Sequence, residues 1–228
     1  KGGDIIKFVE RYHGIGFKEA VRLLQGFDGS IVTTSFSFVC HTDNEPEFNL
    51  KKVKRLENKA LLQYLSERKI NKAIAQIYLK EAYYNTKSFA LAFENDLGGY
   101  ELRNKIWKGS TSPKTITTIK GESNKGVLLF EGFMDFLSYL TMIQNQTPKY
   151  DTIVLNSVNN IEAIKDLIPN YGILYSVLDT DPKGKEAFRT LTNEYPNQKI
   201  IDCSIRYDNI ENVKDLNDYL VKKHFNSS

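Results

Sequence analysis

The chain has 228 residues, 41% of them hydrophobic, with 31 Lys and Arg against 28 Asp and Glu and a formal net charge of +3. That size suits one large or two small globular domains. No apolar run reaches the roughly 18 residues of a membrane span, no signal-peptide pattern is present, and the distant Cys40 and Cys203 fit neither a ligand spacing nor a disulfide framework, so a reducing, cytoplasmic setting is expected.

Residues 4–12 place Ile5, Phe8, Val9 and Tyr12 at helical spacing behind Asp4 as N-cap. "FKEAVRLLQG" reads as a second helix ended by Gly26. Residues 28–50 are polar and turn-rich. Residues 56–84 read as helical, with Leu61, Leu62, Leu65, Ile70, Ile74, Ile77 and Tyr78 on the apolar faces. "SFALAFEND" and "GGYELRNKIW" alternate like two strands about a Gly-Gly turn, and "TITTIKG" reads as another short strand.

After residue 126 the pattern becomes strand and helix in alternation. The strands are "VLLF", "TIVL", "GILYSVL" and "KIID", with helices near 133–146, 160–168, 183–194 and 213–224. Such continuous apolar strands are buried on both faces, which predicts a parallel α/β sheet with right-handed crossovers. The charge changes at the same point. Residues 1–126 hold 21 basic and 14 acidic side chains, and residues 127–228 hold 10 and 14. A basic half that meets a polyanion and an acidic half that holds cations would look like this.

Ligands gather beyond the carboxyl ends of the strands in such a sheet. Glu131 follows "VLLF", Asn156 and Ser157 follow "TIVL", and Asp179 and Asp181 follow "GILYSVL". Gly132 offers a sharp turn and a close backbone approach. Asp135 lies one helical turn after Glu131. Several carboxylates at one edge repel each other, and a hard divalent cation relieves the repulsion. Each acid alone also reads as a turn or cap residue, and Asp181 before Pro182 is a plausible helix cap. The two motifs on separate strands of one sheet are the stronger signal.

"EGFMD" followed by "LDTDPKG" resembles the Toprim domain of bacterial-type primases, topoisomerases and some nucleases. The resemblance assigns Glu131, Asp179 and Asp181 to catalysis and to Mg²⁺ (or Mn²⁺) binding. It adds Asp135 as the further acid of primases. "VKDLNDYL" resembles a primase segment that usually reads Asp-Pro-Asp, so Asp215 matches its first acid and Asn217 departs from its second; the resemblance implies that Asp135 and Asp215 also bind metal and support or complete a second ion, at a site that Asn217 would weaken. "KGGDIIKFVERYHGIGFKEAVRLL" resembles the segment that follows a primase zinc ribbon. His13, Cys40 and His41 lack zinc spacing, so any zinc is expected only in a segment preceding Lys1. "LLQYLSERKINKAIAQIYLKEAYY" and "LAFENDLGGYELRNK" resemble, more loosely, the amino-terminal part of a primase core.

These resemblances imply a helical remnant over 1–27, a linker over 28–55, a basic α+β subdomain over 56–125 and a Toprim domain over 126–228. They imply a primase-like enzyme of mobile-element or plasmid type that makes short RNA primers on single-stranded DNA from nucleoside triphosphates, with a helicase or relaxase as possible partner. Asn95, Arg103, Lys105, Lys114, Asn156 and Ser157 are the expected nucleic-acid or nucleotide contacts. Tyr100 and Trp107 could stack on bases or pack in a core. A Toprim nuclease and a non-catalytic DNA-binding accessory protein are the rival readings.

Overall fold

The computed structural model describes residues 9, 12, 13, 50–84 and 88–225. The chain divides into two units, Lys1–Glu45 and Pro46–Ser228. In the first, Val9, Tyr12 and His13 are helical, Val9 buried and the other two exposed. The other residues of the helices expected over 4–12 and 17–26, the 28–49 part of the expected linker, Cys40 and His41 lie outside the described residues.

The second unit holds two five-stranded sheets. The first is wholly antiparallel, in the order β1 (Lys52–Arg55), β2 (Leu79–Tyr83), β3 (Phe89–Glu94), β4 (Tyr100–Arg103), β5 (Lys108–Ser110). Between β1 and β2 run α1 (Lys59–Glu67) and α2 (Lys72–Tyr78). Each starts on an asparagine whose side chain accepts two backbone N–H groups: Asn58 from Ala60 and Leu61, Asn71 from Ala73 and Ile74.

Two expectations are corrected here. The helical reading of 56–84 fails at Leu79, because Leu79–Tyr83 pair with β3 on one side and Lys80–Tyr83 with β1 on the other. Lys, Glu and Ala are good helix formers, but propensity is a small term, and two ladders of hydrogen bonds override it. The linker expected over 28–55 ends in strand β1. The turn between β3 and β4 fits its Gly-Gly sequence, with Gly98 at φ +83°.

The second sheet runs β10 (Lys199–Asp202), β9 (Ile173–Val177), β7 (Ser123–Phe130), β8 (Tyr150–Val154), β6 (Thr117–Ile119). All its pairings are parallel except that of the edge strand β6. The helices are α3 (Phe133–Ile143), α4 (Pro182–Glu194) and α5 (Leu216–Phe225). The helix expected over 160–168 is instead two 3₁₀ segments, Val158–Ile164 and Ile168–Asn170. Pro169 removes a backbone donor there, and the Asn160 amide donates to the Leu155 carbonyl.

Strand β7 is buried on both faces. Leu128 and Phe130 join a core with α1, α2, α3, α5 and the Leu91/Phe93 face of the first sheet. Val127 and Leu129 join a second core with α4 and the 3₁₀ segments. Ala82, Ala90, Ala92 and Leu102 form a third cluster on the other face of the first sheet. The connection through α3 leads from β7 to β8, whereas β9 lies on the other side of β7 and leads through α4 to β10. The crevice between the carboxyl ends of β7 and β9 is therefore the place where the strand order reverses.

Candidate active site

Phe130 at the end of β7 stands in register with Val154 of β8 and Val177 of β9. The residues just beyond, Glu131, Leu155 to Asn156 and Leu178 to Asp179, consequently emerge at one edge. Glu131 Oε2 is buried there without a hydrogen-bond partner. Burial first, and then the repulsion of Asp181, pushes the Glu131 carboxyl up, while the Asp179 N–H and the charges of Lys108 and Lys183 act against this. Asp179 is pushed up to about 8, by burial and by Glu131, Asp215, Asp181 and Asp218 in that order. Asp181 caps α4, its Oδ1 accepting the Gly184 N–H at 2.9 Å, with Pro182 at the first helical position.

Asp135 sits in the first turn of α3 and is only 6% exposed. Its Oδ1 accepts the backbone N–H of Asn217 at 3.0 Å. Burial holds this carboxyl well above the ordinary value, and Asp215 and Asp179 add to the effect, with the Asn217 N–H and Arg103 opposing. Asp215 accepts the Asp218 N–H at 2.6 Å, as a capping residue does at the start of α5. Burial raises its carboxyl too, and the guanidinium groups of Arg68 and Arg103 pull it back. The five acids thus share one electrostatic neighbourhood.

The expected glycine is not the critical one. Gly132 has φ −133°, ordinary extended backbone, and a Cβ there would meet only Asp135 Oδ2 at 3.7 Å. The tight approach is at Gly184, where a Cβ would lie 2.1 Å from the Asp179 carbonyl oxygen. The first turn of α4 is packed directly on the loop that carries Asp179.

The expected polar contacts divide. On β4, Leu102 faces the alanine cluster, so Glu101 and Arg103 take the opposite face, and Arg103 pairs across to Lys108 of β5. Arg103 acts on Asp135 and Asp215, and Lys108 on Glu131. This basic face therefore meets the acidic edge. Lys114 acts on the half-buried Glu101, which burial pushes up to about 7. Lys105 pairs with Glu67 of α1 at 2.9 Å.

Three expected contacts also have structural work. Asn95 is buried, its Oδ1 accepting the N–H groups of Leu97 and Gly99 and its Nδ2 donating to the Pro113 carbonyl at 2.7 Å. Asn156, at φ +64°, donates to the Thr115 carbonyl and to Thr117 Oγ1, while its own Oδ1 is buried without a hydrogen-bond partner. Ser157 caps the following 3₁₀ segment. Tyr100 and Trp107 pack on the alanine cluster, with Trp107 against Tyr84 at 5.3 Å between ring centroids.

Residues 128–220 match the Toprim-like family model. This part of the chain is a Toprim-like domain. Ahead of it, residues 50–112 match a family described as a domain of unknown function, DUF8464. No curated protein matches the chain in sequence. Among solved structures, the chain is similar to the primase fragment of the bacteriophage T7 primase-helicase protein. The identity is 16%, the match covers 80% of each chain, and the TM-score is 0.56. It is also similar to a chain of the bacteriophage T7 lagging-strand DNA polymerase complex with primase domains bound to an RNA/DNA hybrid and dTTP. There the identity is 17%, the coverage 70% of this chain and 85% of that one, and the TM-score 0.54. The likeness is one of fold, a Toprim-like sheet preceded by a smaller α+β part.

Arg68, Lys108, Lys183 and Asp218 border the Toprim-like edge and were not singled out from the sequence. Lys183 stands two residues after Asp181, inside "LDTDPKG", and could have been noticed there. Arg68 and Lys108 come from the other sheet and its helices, with no motif to mark them. A cavity of about 380 Å³ lies elsewhere, between α1 and the β3–β4 end, lined by Leu61, Tyr64, Tyr84, Phe89 and Ile106 among others. None of the five acids lines it. Among the described residues no helix is long and apolar enough to cross a membrane.

Among the described residues, also, no group of three or more His, Cys, Asp or Glu is arranged to hold a metal ion by protein ligands alone. Mg²⁺ does not require such a cage. It keeps several waters and binds through one or two carboxylates plus substrate phosphates. An orphaned buried oxygen on Glu131 and an Asp179 carboxyl whose ionisation is opposed by burial and by like charges fit that mode of binding.

Proposed function

We propose that the chain is a DNA primase-type nucleotidyltransferase that makes short RNA primers on single-stranded DNA from nucleoside triphosphates. The observation that carries this reading is the meeting of two surfaces. The acidic edge of the Toprim-like sheet bears Glu131, Asp179 and Asp181. Facing it is the Arg103/Lys108 side of the preceding sheet, on a fold shared with the T7 primase fragment. The T7 complex with an RNA/DNA hybrid and dTTP supports the substrate class. A helicase or relaxase partner and a cytoplasmic, mobile-element setting belong to the same proposal.

Glu131 and Asp179, with Asp181 beside them, would hold Mg²⁺ (or Mn²⁺), which when bound stabilises charge on the transferring phosphoryl group. In the alternative role Glu131 would take the proton of the primer 3′-hydroxyl as that oxygen attacks the α-phosphate and pyrophosphate leaves. Lys108, Lys183 and Arg103 supply positive charge beside the acids, where the triphosphate and the template backbone would otherwise be repelled.

Glu131→Gln keeps the shape and removes a charge and a base. Primer synthesis, read as labelled nucleotide incorporated on single-stranded DNA, should fall by roughly 10²-fold or more. Full activity in the variant would refute the assignment of Glu131. Shortening of the DNA by the wild type, without incorporation, would replace the proposal with a Toprim nuclease.

A further inference from the structure

The acids of this edge fall into two sets that the structure treats differently. Glu131 Oε2 is buried and has no partner. Asp135, in contrast, is bonded to Asn217, which is fully buried, and Asp215 joins the same network through Asp218 and Arg68. The Asn217 N–H donates to Asp135 Oδ1 at 3.0 Å. Its Nδ2 donates to the Arg68 carbonyl at 3.0 Å and to Ser138 Oγ at 2.8 Å. Its Oδ1 accepts from Arg68 Nε. Arg68 Nη2 also donates to Asp218 Oδ1 at 3.1 Å, and the Asp218 N–H donates to Asp215 Oδ1. Ser138 Oγ donates its own proton to the Met134 carbonyl.

We propose that Asp135 and Asp215 hold no ion of their own, and that the guanidinium groups of Arg68 and Arg103 take the place of one, so that the chain binds a single divalent cation, at Glu131 and Asp179. The inference rests on the metal reading given under Proposed function. Charge favours it: both arginines act on Asp215, Arg103 also acts on Asp135, and Arg68 pairs with Asp218 at 3.1 Å. Geometry permits little else. The side chain of Asn217 and one oxygen each of Asp135 and Asp215 are already bonded within the protein, so an ion there would have to use the second oxygens of the two acids, and could not recruit Asn217 without breaking buried hydrogen bonds. Arg68 is then a positioning residue. It holds Asn217 and Asp218 with its side chain and α5 with its backbone carbonyl, and it never touches substrate.

The test is the number of Mn²⁺ ions bound by the ion-free full chain, read by electron paramagnetic resonance of the unbound ion, with circular dichroism melting to confirm folding. The wild type should bind one ion. Asp179→Asn should weaken that ion at least tenfold. Arg68→Gln and Asn217→Asp should each admit a second ion, whereas Arg68→Lys, which keeps the charge, should stay at one. Two ions on the wild type, with Asp179→Asn weakening one of them, would overturn this inference and leave the proposed function standing. One ion that Asp179→Asn does not weaken would overturn the metal reading itself. Arg68→Gln and Asn217→Asp proteins that fold and still bind only one ion would show that Arg68 does not stand in for an ion, and the wild-type count decides the matter even if neither variant folds.

Discussion

The clearest physical consequence of the acidic edge is that it destabilises the protein that carries it. Asp179→Asn keeps the side-chain shape and removes one charge from a mostly buried group of carboxylates. An aspartate in the unfolded chain ionises near 3.8, and in the folded chain Asp179 is pushed up to about 8. Below the lower value both states are protonated and the site has no effect. Between the two values the unfolded chain releases its proton and the folded chain keeps it, so stability falls as pH rises, and the full penalty is reached above pH 8. One unit of displacement corresponds to about 1.4 kcal/mol, which puts the upper bound near pH 7 at about 4 kcal/mol. The true value is smaller because Glu131 and Asp215 share the repulsion. A change of 1 kcal/mol moves the melting temperature of a domain this size by roughly 2–4 °C. In the presence of a chelator the Asn variant should therefore melt on the order of 5–10 °C above wild type at pH 8 and close to it at pH 4. Saturating Mg²⁺ should narrow the gap at pH 8, because the ion stabilises only the folded wild type that binds it. A gap that stays constant from pH 4 to pH 8 would refute the reasoning.

Two further variants probe the surfaces around this edge. Arg103→Ala combined with Lys108→Ala should weaken single-stranded DNA binding across sequences and reduce the slope of log affinity against log salt by roughly 1.4, at about 0.7 for each phosphate no longer neutralised; an unchanged slope in a filter-binding series would remove this face from the DNA surface. Gly184→Ala places a Cβ 2.1 Å from the Asp179 carbonyl oxygen. It should cost about 1–3 kcal/mol by overpacking and shrink the rise in melting temperature caused by Mg²⁺, and an unchanged rise would show that the position of Asp179 does not depend on α4.

The parallel sheet was legible because its strands are buried on both faces, and burial of that kind writes itself as unbroken apolar runs such as "VLLF". Strand β5, Lys-Gly-Ser, carries no apolar pattern and exists only because β4 pairs with it. Strand β2 reads as the end of a helix, since its lysine, glutamate and alanine suit one, and only its two neighbours decide otherwise. The acids were legible for a related reason. A carboxylate that ends a buried strand is conspicuous, and two such motifs in one sheet must emerge at the same edge. Asparagine is less informative at such places. Asn95 and Asn156 follow strands as a ligand residue would, yet Asn95 spends its amide on the turn that it makes, and Asn156 donates to Thr115 and Thr117 beside the neighbouring strand β6. A side chain that can both donate and accept serves loop geometry as readily as it serves a ligand.

Asn217 shows most directly what a local pattern omits. In the sequence it is a carboxylate missing from an acidic motif, which suggests a weakened site. In the structure the same position gains a partner, Arg68, from 149 residues away. A carboxylate at 217 would bring a further negative charge into a buried pocket whose backbone already serves Asp135, and it would compete with Asp218 for the same guanidinium. The carboxamide avoids both costs: its oxygen accepts from Arg68 without adding charge, and its nitrogen donates to Ser138, which a carboxylate could do only by holding a proton. The loss of one acid and the presence of one arginine are therefore a single arrangement, and it leaves Glu131 as the one acid of this edge with an unsatisfied buried oxygen.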